Sequence, residues 1–136
     1  MSLSVSMDIA AAAMRAQGTR IRVAAENLAN AQSTGDGPGD TPYRRQVVTF
    51  NSLLDRTTGA HMVEIGQIAE APGEFERRYE PQHPSADAEG YVLYPNVNPM
   101  VETMDIREAQ RSYEANMNVL ETARSMLTST LDLLRR

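Results

Sequence analysis

The sequence predicts an α+β protein in which long N- and C-terminal helices are paired as a coiled coil, with a small β-rich insert between them. Two seven-residue repeats and the placement of the helix breakers carry this expectation. Ile106, Tyr113, Leu120, Leu127 and Leu134 recur at every seventh position, and so do Met7, Met14, Ile21 and Leu28. A repeat of that period marks a helix that packs along its length on another helix. Every Pro, and every Gly but Gly18, lies between Gly35 and Pro99, so the middle cannot stay helical for long. The chain therefore divides into residues 1–34, a first helical segment; 35–99, a loop plus insert; and 100–136, a second helical segment.

Taken in order, the first helix carries Ala10, Ala11, Ala24 and Ala25 beside its repeat, small residues that let two helices approach closely. It ends near Asn30, a residue type that tolerates the left-handed conformation closing many helices. Residues 33–42, rich in Gly, Asp and Pro, form a loop. A strand is expected over 43–50, with Val48 and Phe50 on one face. A second covers 62–69, with Val63 and Ile65 in alternation and Gly66 as a bulge. Phe75, Arg77 and Tyr79 suggest a third strand, and residues 91–94 a fourth. This two- to four-stranded insert has little apolar surface and should lean on the helices or on neighbouring chains. The last helix spans 104–134, with Ala109, Met117, Ala123 and Leu131 beside its repeat. Asp105 serves as N-cap or first-turn acid, and Arg135 and Arg136 suit the negative end of the dipole. The stripes are thin, however, and two helices of an ordinary small bundle would show the same pattern.

Bulk properties exclude several classes. A chain of 136 residues is one domain, or one helical unit with an insert. With 5% aromatic residues and no Trp, its core material is modest. A net charge of −5 argues against nucleic acid or an anionic membrane as partner. No stretch has the length and apolarity of a membrane span, so no direct membrane insertion is expected. Asp8 and the absence of a basic residue before Arg15 speak against a cleaved signal peptide. The expected setting is cytosolic, or reached by an export route that reads no cleaved signal. There is no Cys and hence no disulfide or thiol chemistry.

Candidate chemistry is sparse. His61 and His83 are far apart and lack metal-site spacing. Glu70, Glu74 and Glu76 read as a solvated face rather than acid–base machinery. No serine sits in a nucleophile elbow, and no glycine pattern resembles a phosphate cradle. Arg44-Arg45 and Arg77-Arg78 are flanked by acids and suit salt bridges. No catalytic residue, cofactor, metal or small-molecule substrate is expected.

What remains is amide-rich and sits at junctions. Asn27, Leu28 and Asn30 close the first helix, Gly90, Tyr91, Pro95, Asn96 and Asn98 lead into the second, and Asn116 lies within it. Such residues either fix helix register or act as plain caps and turns. At these positions the chain resembles the axial rod and hook family of the bacterial flagellum. Asn27-Leu28-Ala29-Asn30 matches the family's terminal-helix motif, and Tyr91 to Asn98 and Arg111 to Asn116 match its entry into the C-terminal helix. Pro42-Tyr43-Arg44, Tyr79-Glu80-Pro81, Ala86-Asp87-Ala88 and Gly90-Tyr91-Val92 are similar, in order, to the proximal-rod members. Glu26, where the family often has a small residue or an amide, and Gln82, where Gly is usual, depart from the pattern.

The resemblance implies a structural protein without a catalytic site. It implies a subunit exported by the flagellar type III apparatus without cleavage of an N-terminal signal, and located in the basal-body rod across the periplasm. Other rod proteins, copies of itself and, during secretion, the export apparatus would be its partners. Met7, Met14, Ile21, Asn27, Leu28, Asn30, Ile106, Tyr113, Asn116, Met117, Leu120, Leu127 and Leu131 are the expected assembly residues. The rival readings are a soluble coiled-coil adaptor binding a partner helix and, more distantly, a hydrolase using Glu and His.

Overall fold

The computed structural model describes residues 2–136. Helix α1 (Leu3–Ala29) opens at Ser2, whose side chain accepts from the Val5 N–H at 3.3 Å, removing one of the donors a helix start leaves unpaired. It closes at Asn30, as expected, but not by a left-handed residue: φ there is −101°. Instead the Asn30 side chain donates to the Glu26 carbonyl at 2.8 Å, alongside the backbone N–H of the same residue. Helix α2 (Pro99–Leu134) starts earlier than residue 104. Pro99 fits its first turn, where a missing N–H costs nothing. Asn98 is the N-cap, accepting from the Met100 N–H at 3.0 Å, and Glu102 is the first-turn acid. The expected capping role of Asp105 is thus overturned; it lies about two turns past the cap.

Four strands form two separate antiparallel pairs rather than one sheet: β1 (Gln46–Leu54) with β2 (His61–Glu70), and β3 (Glu76–Tyr79) with β4 (Tyr91–Tyr94). In the first pair Thr49 faces Gln67 but Phe50 faces Ile65, which leaves Gly66 as the extra residue of a bulge. A Cβ at Gly66 would lie 2.7 Å from the Asn51 side chain. The first strand begins at Gln46, not 43, because the preceding backbone is engaged elsewhere: the Tyr43 N–H donates to the Ser33 carbonyl and the Arg45 N–H to Asn96 Oδ1. In the second pair the Tyr79 ring lies over Gly90, whose φ is +90° and where a Cβ would stand 2.8 Å from that ring. Arg77 and Arg78 stack over Tyr91 and Tyr94 and pair with Glu89 and Glu76.

The helices run antiparallel. Asn27 is level with Glu102, and Arg20 with Asp105 and Glu108. Leu3 and Ser6 share a recess with Ala123 and Met126. The facing seam holds buried Ala10, Ala24, Ala109 and Ala123, with Met7, Met14, Ile21, Leu28, Ile106, Tyr113, Asn116 and Leu120 half-buried around them. A second buried face of α1, formed by Ala12, Ala16, Val23 and Asn27, was not expected from the repeat. The β1–β2 hairpin covers it: Ala12 and Ala16 line a recess with Leu53, Met62 and Ile65, and Val23 and Asn27 one with Val47 and Phe50. At 27 and 36 residues, α1 and α2 differ in length. The end of α2 projects past the start of α1, and residues 124–136 are all exposed.

Candidate assembly interface

Two features stand out: a buried polar node where the helices and the insert meet, and an uncovered stretch of α2. At the node Asn27, 1% exposed, uses its whole amide. Its Oδ1 accepts from the Tyr43 hydroxyl at 2.8 Å and the Gln46 N–H at 2.9 Å, and its Nδ2 donates to the Gln46 carbonyl at 2.8 Å and to Glu102 Oε2 at 3.3 Å. Glu102, also 1% exposed, accepts from Arg45 Nε through its other oxygen. Arg45 reaches Asp105 at 3.6 Å, and Arg20 binds Asp105 at 3.1 Å and Glu108 at 3.2 Å. A buried carboxylate persists where a cation and hydrogen bonds replace its lost water. Burial, then the charges of Glu26 and Glu102, push the Tyr43 hydroxyl above the usual tyrosine range.

The approach to α2 is held by the residues singled out before it. Asn96 accepts from the Arg45 N–H at 2.8 Å and donates to the Ala71 carbonyl at 3.3 Å. Pro95 is buried, Gly90 is half of the contact with Tyr79, and Tyr91 stacks edge-on against the same ring. Asp87 accepts from the Tyr91 and Glu89 N–H groups, which hold its carboxyl below the usual aspartate range. Among the described residues, Asn116 donates to the Ser112 carbonyl one turn back within α2.

The structure does not bring all the expected interface residues together. Met117 is exposed although α1 runs opposite it, because its side chain lies off the facing seam, whereas Leu127, Leu131 and Leu134 (79% exposed) lie at or beyond the start of α1. Sequence reasoning missed Glu102, Tyr43 and Arg20. A signal for Glu102 was available: with Ala109, Asn116 and Ala123 it forms a seven-residue line on the α1-facing side. Arg45 fulfils the salt-bridge expectation, whereas Arg44 donates to the Ala71 and Gly73 carbonyls and stacks on Phe75. Among the described residues no group of His, Asp or Glu is arranged to hold a metal, and no helix is long and apolar enough to cross a membrane.

Comparison with known proteins agrees with this picture of a scaffold. Residues 88–133 match the model of the flagellar basal body rod FlgEFG protein C-terminal family. The chain is 46% identical to the flagellar basal-body rod protein FlgC of Agrobacterium fabrum, over 98% of this chain and 96% of that protein. It is 43% identical to the FlgC of an Escherichia coli O6:H1 strain, over 98% of each, and 34% identical to that of Bacillus subtilis, over 94% and 95%. Similarity at this level over nearly the full length to structural rod proteins makes it a structural protein rather than an enzyme: the chain belongs to the FlgC family of flagellar basal-body rod proteins.

Proposed function

We propose that this chain polymerises through its terminal helices as part of the proximal rod, the drive shaft that carries torque from motor to hook. Residues 1–34 act as axial helix and export-signal region, 35–99 as the outer insert, and 100–136 as the second axial helix. In the rod the α1–α2 pair tightens into a coiled coil, and Met7, Met14, Ile21, Leu28, Ile106, Tyr113, Met117, Leu120, Leu127 and Leu131 pack within and between subunits. The partners are other rod proteins and further copies of the chain. Type III export without signal cleavage delivers it.

The observation that supports this reading is the uncovered apolar end of α2. Leu131 is 52% and Leu134 79% exposed, although they continue the line that packs on α1. Contiguous exposed apolar surface marks an interaction site, and repeated unlike contacts between copies build tubes rather than closed dimers. The test is Leu131→Asp, produced in a strain lacking the native chain. The purified variant should melt as the parent does, because the side chain touches no core, while basal bodies lack complete rods and cells do not swim. Normal rods containing the variant would refute the proposal.

A further inference from the structure

We propose that the Asn27–Arg45–Glu102 node, and not the apolar seam, sets the register of the helix pair, and so keeps the last turns of α2 uncovered. The seam cannot do this alone. Its positions repeat every seven residues on both helices, so sliding α1 by one heptad, about 10 Å along α2, returns apolar residues to apolar levels. Its small buried members, Ala10, Ala24, Ala109 and Ala123, fit most neighbours. A slide toward the C-terminus of α2 would even bring Leu127 and Leu131, now exposed, to the level of Met7. Apolar burial therefore does not by itself hold the observed register.

What opposes the slide is polar and has no repeat. Moved one heptad, Asn27 stands level with Ala109 instead of Glu102. Glu102 then faces the loop beyond α1, and Arg45, tied by its backbone to Asn96, cannot follow with the helix. Asn27 must also give up either Glu102 or the three bonds it makes to Gln46 and Tyr43. The slide would cost a buried ion pair and leave amide groups unpaired. A buried polar contact that selects one register at the expense of apolar packing is the best-attested use of such groups. Arg20, about two turns before Asn27 on α1, would be drawn away from Asp105 and Glu108 by the same slide.

The chain contains no Cys, which allows register to be read by engineered disulfides. Ser6→Cys with Ala123→Cys reports the observed register, since both residues line one recess. Ser6→Cys with Thr130→Cys reports the slipped one. Each pair is placed in the full chain alone and together with Asn27→Ala, with Glu102→Gln, or with Leu120→Ala, a seam variant away from the node. Circular dichroism confirms that helices persist. In both node variants the Ser6–Thr130 bond should rise relative to Ser6–Ala123 by roughly ten-fold, the scale of one lost charge-assisted hydrogen bond. Leu120→Ala should leave the ratio unchanged. If Asn27→Ala does not fold, Glu102→Gln, which keeps side-chain size, decides. A ratio that stays at the parental value in Glu102→Gln, or that rises equally in Leu120→Ala, overturns the proposal.

Discussion

Replacing Arg45 with Met removes the one cation that, among the described residues, is bonded to a carboxylate that is 1% exposed. Breaking a buried ion pair from one side costs about 3–5 kcal/mol, because the remaining charge keeps its desolvation penalty without compensation. Three features of the site set the value at or below the low end of that range. Arg45 itself is 25% exposed and its charge is partly screened. The Asn27 amide still donates to Glu102 at 3.3 Å. Met also restores part of the aliphatic contact of the arginine stem. The expected loss is therefore about 2–3 kcal/mol. Urea unfolding followed by far-ultraviolet circular dichroism reads it as a lower midpoint at unchanged slope. The double variant Arg45→Met/Glu102→Met replaces the pair by apolar side chains and should regain most of the loss. A single variant costing less than about 1 kcal/mol, or a double variant no better than the single, would show that Glu102 is not held by this pair.

Leu120→Asp places a charge in the half-buried seam, and should cost about 2–4 kcal/mol in the same unfolding assay and abolish rod assembly. Gly90→Ala forces a side chain into a positive-φ position under the Tyr79 ring, at an expected cost of about 1–2 kcal/mol, whereas Gly66→Ala should cost less, since the Asn51 side chain can move. Asp87 is held below the usual aspartate range by backbone N–H groups. Its contribution is therefore complete above the free-aspartate pKa and lost as pH falls through its own, so a carboxyl chemical-shift titration should show a depressed midpoint that Gly90→Ala moves upward. Tyr43 is raised, chiefly by burial. Its contribution is present below the free-tyrosine pKa and disappears as pH rises through the folded value; Tyr94, whose hydroxyl donates to Glu80, is raised as well, so phenolate absorbance should show late titration by these tyrosines, with the share due to Tyr43 lost in Tyr43→Phe.

How much of this was readable beforehand follows from how local each signal is. The Gly66 bulge, the end of α1 at Asn30, the third and fourth strands and the confinement of breakers to the middle rest on neighbouring residues, and they hold. The second buried face of α1 did not announce itself because Ala12 and Ala16 are small residues that no repeat distinguishes from the seam. The apolar stripe begins beside Asp105 and points to a cap there, but Asn98 caps the helix seven residues earlier, with Pro99 in its first turn. The node was least legible. Asn27 and Glu102 lie 75 positions apart and Arg45 and Glu102 57, and a glutamate in a helix ordinarily faces water. The family motif pointed to Asn27, although its role in holding Gln46 is visible only in three dimensions.

The central claim is that the chain is incomplete alone and that its C-terminal end becomes rigid among neighbours. Hydrogen exchange over residues 124–136 tests it most directly, measured on the dilute free chain and on assembled basal bodies. The account predicts free-chain exchange within about ten-fold of the unfolded rate, because an overhanging helical end without packing frays, and protection rising by roughly a hundred-fold or more in the rod. Strong protection in the dilute chain, or none in the rod, would contradict it.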